Sequence, residues 1–83
     1  MLHLEIITPD KTVFKGDVDI ATFPGSKGSF QVLNNHAPII STLDRGKLVF
    51  KTNNNVKEII VNGGVVEVLH NKIVVLTDSA TEE

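Results

Sequence analysis

The chain has no cysteine, tryptophan or tyrosine among its 83 residues, and four phenylalanines are its only aromatic residues. Without cysteine, disulfide bonds and thiolate chemistry are both excluded. Positive charge is also limited: eight Lys and Arg face ten Asp and Glu, for a net charge of −2, and the basic residues are scattered singly. Nucleic-acid binding depends on neutralising phosphates with clustered Lys and Arg, so the sequence argues against it.

Alanine is scarce, occurring only at Ala21, Ala37 and Ala80, whereas valine, isoleucine and threonine are frequent. Branching at Cβ restricts χ1 and favours pleated strands over helices. The length suits one small domain, for which we take residues 1–83 with residues 78–83 as a polar tail. We therefore predict an all-β fold, a small antiparallel β-sandwich of about nine to ten short strands in two sheets.

Alternating polar and apolar residues place the strands. Leu2, Leu4 and Ile6 should share a buried face, as should Val18, Ile20 and Thr22. We expect further strands at residues 12–15, 30–33, 39–43, 47–52, 56–62, 65–69 and 72–77. Turns should fall at residues 8–11, 24–28, 34–38, 44–46, 53–55 and 70–71, where Gly, Pro, Asn and Asp are concentrated.

Chemistry-bearing residues are present but are not arranged for catalysis or metal binding. His3, His36 and His70 are far apart and lack the short spacings of zinc motifs, so we expect surface histidines. The Gly25-x-x-Gly28 turn lacks the Lys-Ser/Thr end of a P-loop and precedes no helix. One interpretation of this turn is a tight connection between strands, and the other is an exposed contact loop. Gly63-Gly64 within an apolar run indicates a bulge or a close backbone approach. We predict no catalytic residues, metal ligands or cofactor.

Two segments carry a resemblance to a known family. Residues 24–38 contain Pro-Gly-Ser-Lys-Gly-Ser-Phe and then His-Ala-Pro, and residues 62–80 contain Asn-Gly-Gly, Val-Val-Glu-Val and Ile-Val-Val-Leu-Thr. In order and spacing they resemble the amino-terminal β-sandwich domain of the epsilon subunit of F-type ATP synthases. The resemblance implies a non-catalytic subunit of the central stalk, which links the gamma subunit to the ring of c subunits and supports the coupling of proton flow to ATP synthesis.

The resemblance also implies where each partner binds. The turn that meets the c ring in the family corresponds to Ser26, Lys27, Gly28, Ser29 and Phe30. The gamma-facing segment corresponds to His36, Ala37, Pro38, Ile39, Ile40, Ser41 and Thr42. Relatives often carry an acidic residue where Ser29 lies here, and Pro-Gly where Asn34-Asn35 lies. Of the two isoleucines, one should face outward in a gamma contact.

Other expectations concern the ends of the chain and its location. Most bacterial relatives continue into a two-helix domain that restrains ATP hydrolysis and in some binds ATP. We expect neither property here, because the sequence stops just beyond the last predicted strand. Residues 1–7 resemble a first strand and not a signal or transit peptide, and no apolar run reaches membrane-spanning length. We expect a peripheral protein on the cytoplasmic face of the bacterial inner (plasma) membrane, without membrane insertion.

Two alternatives belong to other classes. A lipoyl- or biotinyl-type carrier is also all-β and about this size, but it presents a modifiable lysine at a central hairpin tip. Here the only Asp-Lys pair is Asp10-Lys11 near the N-terminus, and intact mass would reveal an adduct. A small-molecule-binding β domain would need a concave apolar pocket, which the few aromatic residues make less favourable.

Overall fold

The structure is a computed structural model, which describes residues 1–82. Eight strands form along the chain: β1 (Leu2–Ile7), β2 (Thr12–Val18), β3 (Ile20–Phe23), β4 (Phe30–Val32), β5 (Ile39–Thr52), β6 (Asn55–Leu69), β7 (Lys72–Leu76) and β8 (Ala80–Glu82). They pair in the order β2-β1-β7-β6-β5-β3-β4, with β8 on β6. The predicted all-β class is confirmed.

The long hairpin of β5 and β6 divides this network into two layers. In one half of the hairpin, residues 39–43 pair with residues 64–68. From this half the sheet extends through β7 and β1 to β2. We call this set of strands the first layer. The other half of the hairpin pairs residues 45–52 with residues 55–62, and β3, β4 and β8 extend it into the second layer. Each layer thus has five strand segments, which agrees with the predicted two-sheet sandwich. The β1–β7 pair is parallel, unlike the antiparallel pairing expected throughout.

One apolar core fills the space between the layers. Leu2, Leu4 and Ile6 are buried in the first layer as predicted, and Leu48 and Phe50 are buried in the second. The rings of Phe14 on β2 and Phe50 on β5 lie 4.5 Å apart between centroids, with 46° between their planes, and this contact joins the two layers. Burial of such side chains is the main favourable contribution to the stability of a domain of this size.

Two local predictions were wrong. Residues 44–46 were expected to turn the chain, but they lie inside β5, and Arg45 and Gly46 pair with Asn62 and Val61. Val18, Ile20 and Thr22 were expected to share a buried face, but the alternation is interrupted at Asp19, which lies between the end of β2 and the start of β3. Ala21 is buried while its neighbours are half-buried.

Within the segment predicted as a polar tail, residues 80–82 form a strand, β8, which pairs with residues 59–61 of β6. The last residue of that tail, Glu83, lies outside the described residues.

The two-residue hairpins follow the predicted asparagines. Asn53 and Asn54, at φ 50° and 68°, join β5 to β6, and His70 and Asn71, at φ 49° and 61°, join β6 to β7. Two consecutive residues with positive φ fit the turn that matches the twist of paired strands. Neither hairpin tip contains the lysine that a carrier domain would require.

Candidate partner-binding surfaces

The segment predicted to face the gamma subunit consists of a loop and the start of β5. His36 is half-buried in that loop, Ala37 and Pro38 are exposed, and residues 39–42 form the first positions of β5. Ile39 packs against the core, whereas Ile40 is 73% exposed. Ile40 is therefore the outward-facing member of the pair.

The loop before β5 has a defined backbone. The His36 N–H donates to the Leu33 carbonyl at 3.2 Å, which closes a turn with Asn35 at φ 66°. Asparagine tolerates this left-handed conformation better than most residues. The turn predicted within residues 34–38 is thus confirmed. The Nδ1 atom of His36 lies 2.7 Å from the carbonyl oxygen of Ala37.

Ile40 belongs to a larger apolar surface on the outside of the first layer. The strand register places Val65 opposite Leu76 and Leu76 opposite Ile7, and Ile40 lies beside Glu67. We call the following six outward-facing residues the apolar face: Ile7, Ile40, Val65, Leu69, Val74 and Leu76. Val65, Leu69 and Leu76 are 40%, 44% and 54% exposed. An exposed apolar surface of this kind is typical of a protein-binding site.

Charged side chains lie among the residues of the apolar face as well as beside them, since Glu5 and Glu67 both pair with Val74 and Glu67 also pairs with Ile40. A carboxylate oxygen of Glu5 lies 3.6 Å from Lys72 Nζ and 3.4 Å from His3 Nε2. The Nδ1 atom of His3 lies 3.3 Å from an Asp17 carboxylate oxygen. Lys72 and Asp17 are each 58% exposed, so solvent screens the ion pairs that they form and these pairs contribute little to stability. Many protein–protein interfaces are about as apolar as the rest of the protein surface, so charged positions within the apolar face are compatible with partner binding.

Sequence reasoning left Ile39 and Ile40 as alternatives for the outward-facing residue and missed the rest of the apolar face. One signal was available, since residues 65–69 place apolar side chains on both sides of the strand. Val66 and Val68 are buried in the core, and Val65 and Leu69 point the other way. Apolar residues on both sides of a strand indicate that its outer side is covered as well as its core side.

The turn predicted to meet the c ring, residues 26–30, lies beside Thr42, the last residue of the segment predicted to face gamma. The Gly28 N–H donates to the Gly25 carbonyl at 3.0 Å, and Ser26, Lys27, Gly28 and Ser29 are exposed. A Cβ at Gly25 would lie 2.6 Å from the Gly28 oxygen, so this position requires glycine. Phe30 is half-buried, with its ring centroid 5.5 Å from that of Phe23. Four of the five residues are thus available for contact.

Backbone hydrogen bonds join the two predicted surfaces directly. The Ser26 N–H donates to the Thr42 carbonyl at 3.0 Å, and the Asp44 N–H donates to the Pro24 carbonyl at 2.9 Å. Gly25 also forms a bridge with Leu43. The exposed turn is therefore attached to the same strand that carries Ile40.

The arrangement offers surfaces for contact and no group for chemistry. Among residues 1–82, no three His, Cys, Asp or Glu side chains are grouped so as to hold a metal ion. No helix in that range is long and apolar enough to span a membrane. The depressions are small and lie at the surface, for example 300 Å³ beside Leu76 and 350 Å³ beside Ile40. The fold and its surfaces define a β-sandwich domain that binds partners through an apolar face and an exposed turn.

Comparison with known proteins identifies the family. The β-sandwich domain of the ATP synthase delta/epsilon chain matches residues 1–83, and this chain belongs to that family. It is similar to the ATP synthase epsilon chain of Nitratidesulfovibrio vulgaris (strain DP4), with 47% identity over 79 residues that cover 95% of this chain. The epsilon chain of Leptospira borgpetersenii is 43% identical over 77 residues, or 93% of this chain. The chain spans 59% and 61% of the length of these two relatives.

Solved structures show the same fold at low sequence identity. A chain in the Euglena gracilis mitochondrial ATP synthase (OSCP/F1/c-ring) superposes with a TM-score of 0.92, at 20% identity, covering 98% of this chain and 52% of that one. A chain in the central stalk/c-ring structure of the Tetrahymena thermophila mitochondrial ATP synthase gives 0.82 at 19% identity, covering 95% and 64%. Family membership agrees with the interpretation as a non-catalytic subunit.

Proposed function

We propose that this domain is a central-stalk component of a proton-translocating F-type ATP synthase, in which it links the gamma subunit to the c ring. Its role is to support the coupling of proton flow to ATP synthesis. The observation that carries this proposal is the hydrogen bond from Ser26 to Thr42, because it joins the turn expected at the c ring to the strand expected at gamma. Two contacts on one rigid unit can transmit rotation without slippage.

The apolar face supports the gamma contact. Ile40 is exposed next to Leu69 and Glu67 around a depression of 350 Å³, which suits a protruding apolar side chain of a partner. The charged side chains of Glu5, Lys72 and His3 would orient that partner more than they would add affinity. The expected c-ring contact is polar, with Lys27 and Ser29 exposed on the turn. The proposed location is peripheral, on the cytoplasmic face of the bacterial inner membrane.

Substitution of Ile40 by aspartate tests the gamma contact. The Ile40→Asp variant should bind purified gamma subunit roughly 30-fold more weakly or worse, because a charge would replace an apolar anchor within a desolvated interface. The strand itself should tolerate the change, since the side chain is 73% exposed. Affinity is measured by titration with purified gamma, and folding by thermal denaturation.

The matched control is Val56→Asp. Val56 is 62% exposed and lies on β6 in the second layer, away from the apolar face. This variant should bind gamma as the unaltered protein does. Equal binding of gamma by Ile40→Asp and by the unaltered protein would refute the proposed contact.

A further inference from the structure

Asn71 connects three separate segments at one end of the first layer. Its side-chain Oδ1 accepts from the Asn35 N–H at 2.6 Å, and its Nδ2 donates to Asn35 Oδ1 at 3.3 Å. Its backbone carbonyl accepts from the His3 N–H at 2.8 Å. The β6–β7 hairpin is thereby bonded both to β1 and to the loop that precedes β5.

We propose that the pairing of Asn35 with Asn71, the asparagine latch, positions the loop of residues 36–38 for partner binding. The inference rests on the proposed gamma contact, and it assigns Asn71 as a positioning residue at that site. Asn71 lies 36 positions from Asn35 in the sequence, so the latch fixes a loop that local turn geometry alone would leave attached only at its ends.

Backbone conformation favours this use of asparagine at both positions. Asn35 and Asn71 have φ of 66° and 61°, so each must tolerate a left-handed backbone. Glycine would meet that requirement at lower cost, but it has no amide side chain. Asparagine satisfies the conformation and supplies the hydrogen bonds at the same time.

The latched loop forms one wall of a depression of about 380 Å³. Asn35, His36 and Pro38 line one side, and His70 and Asn71 line the other. Pro38 also lines the depression beside Ile40. The loop is thus continuous with the apolar face, and an ordered loop lowers the entropic cost of binding there.

The Asn71→Gly variant separates the latch from the turn. Glycine keeps the positive φ and removes only the amide, so the hairpin should remain intact. The Asn35 amide should then exchange with solvent roughly three- to tenfold faster, and gamma should bind about two- to tenfold more weakly, as expected for the loss of one or two exposed hydrogen bonds. Asn54→Gly makes the same replacement at the β5–β6 tip, at φ 68°, and should change neither quantity.

Amide exchange by NMR and titration with purified gamma distinguish the outcomes. Unchanged exchange at Asn35 in Asn71→Gly would show that the latch does not order the loop. Faster exchange with unchanged gamma affinity would show that the order is not used in binding, and either result overturns the inference. Absence of gamma binding by the unaltered protein is a different failure, because it refutes the proposed function itself.

Discussion

Gly63 and Gly64 bend the same strand, but different atoms restrict the two positions. Gly63 has φ of 77°, and a Cβ there would lie 3.6 Å from the Leu43 oxygen, an ordinary contact distance. Gly64 has φ of 127°, and a Cβ there would overlap the carbonyl oxygen of Leu76 on the neighbouring strand. The first position needs glycine for its conformation, whereas the second also needs it for space.

This difference predicts unequal costs for the same substitution. Gly64→Ala should lower the free energy of unfolding by about 3 kcal/mol or more, because the backbone of β7 must move away. Gly63→Ala should cost only about 1–2 kcal/mol, the penalty for positive φ in a residue with a Cβ. Chemical denaturation of both variants measures the difference. Equal destabilisation would show that β7 does not restrict Gly64.

At the level of single residues, the resemblance predicted more of the candidate site than the strand pattern did. His36 and Ile40 were placed by the His-Ala-Pro motif, although the sequence could not say which of Ile39 and Ile40 faces outward. The exposed positions of Val65 and Leu76 depend on which strands become neighbours. That pairing is non-local, so no local pattern contains it.

Among the strands, β5 differs most from its predicted form. Asp44 and Gly46 have high turn propensity, and their sequence alone favours a chain reversal. In the structure, β5 continues because pairing with β6 resumes at Arg45 opposite Asn62. Gly46 serves a different purpose, since a Cβ there would lie 2.9 Å from the Pro24 Cβ. Long-range packing, which the local sequence does not reveal, overrides the turn signal.

The connection between β7 and β8 is held by one buried hydroxyl. Thr77 Oγ1 lies 2.6 Å from the Gly63 carbonyl oxygen and 3.1 Å from that of Ser79, with the residue 5% exposed. The Asn62 N–H also donates to the Ser79 carbonyl at 3.1 Å. Through Thr77, the bend of β6 and the start of β8 depend on each other.

Replacing Thr77 by valine should weaken this connection without altering side-chain volume much. Thr77→Val leaves the Gly63 carbonyl without its hydroxyl donor, which should cost about 1–3 kcal/mol of unfolding free energy. Exchange of the Asn62 amide should also become faster. Thr81→Val, at an exposed position on β8, should change stability by no more than about 0.5 kcal/mol. Urea denaturation and NMR exchange report the two effects, and equal stability of the two variants would contradict the anchoring role.

For the whole molecule, the proposed contacts are separated by only a short stretch of one strand. Residues 39–42 run from the latched loop to the point where Thr42 accepts the hydrogen bond of Ser26. Paired strands resist bending more than loops do, and the core beneath β5 includes Leu43 and Val68. A force applied at the turn should therefore reach the apolar face with little deformation between them.

This arrangement predicts the behaviour of membranes that lack the epsilon subunit. Such membranes should still hydrolyse ATP, but they should pump protons poorly, because the connection between gamma and the c ring would be weakened. Addition of the chain of residues 1–83 should restore ATP-driven pumping, as measured by quenching of a pH-sensitive dye in inverted vesicles. Val56→Asp should restore it equally, whereas Ile40→Asp should not. Normal pumping in the clean deletion would argue against a coupling role, and full restoration by Ile40→Asp would show that coupling does not require the apolar face.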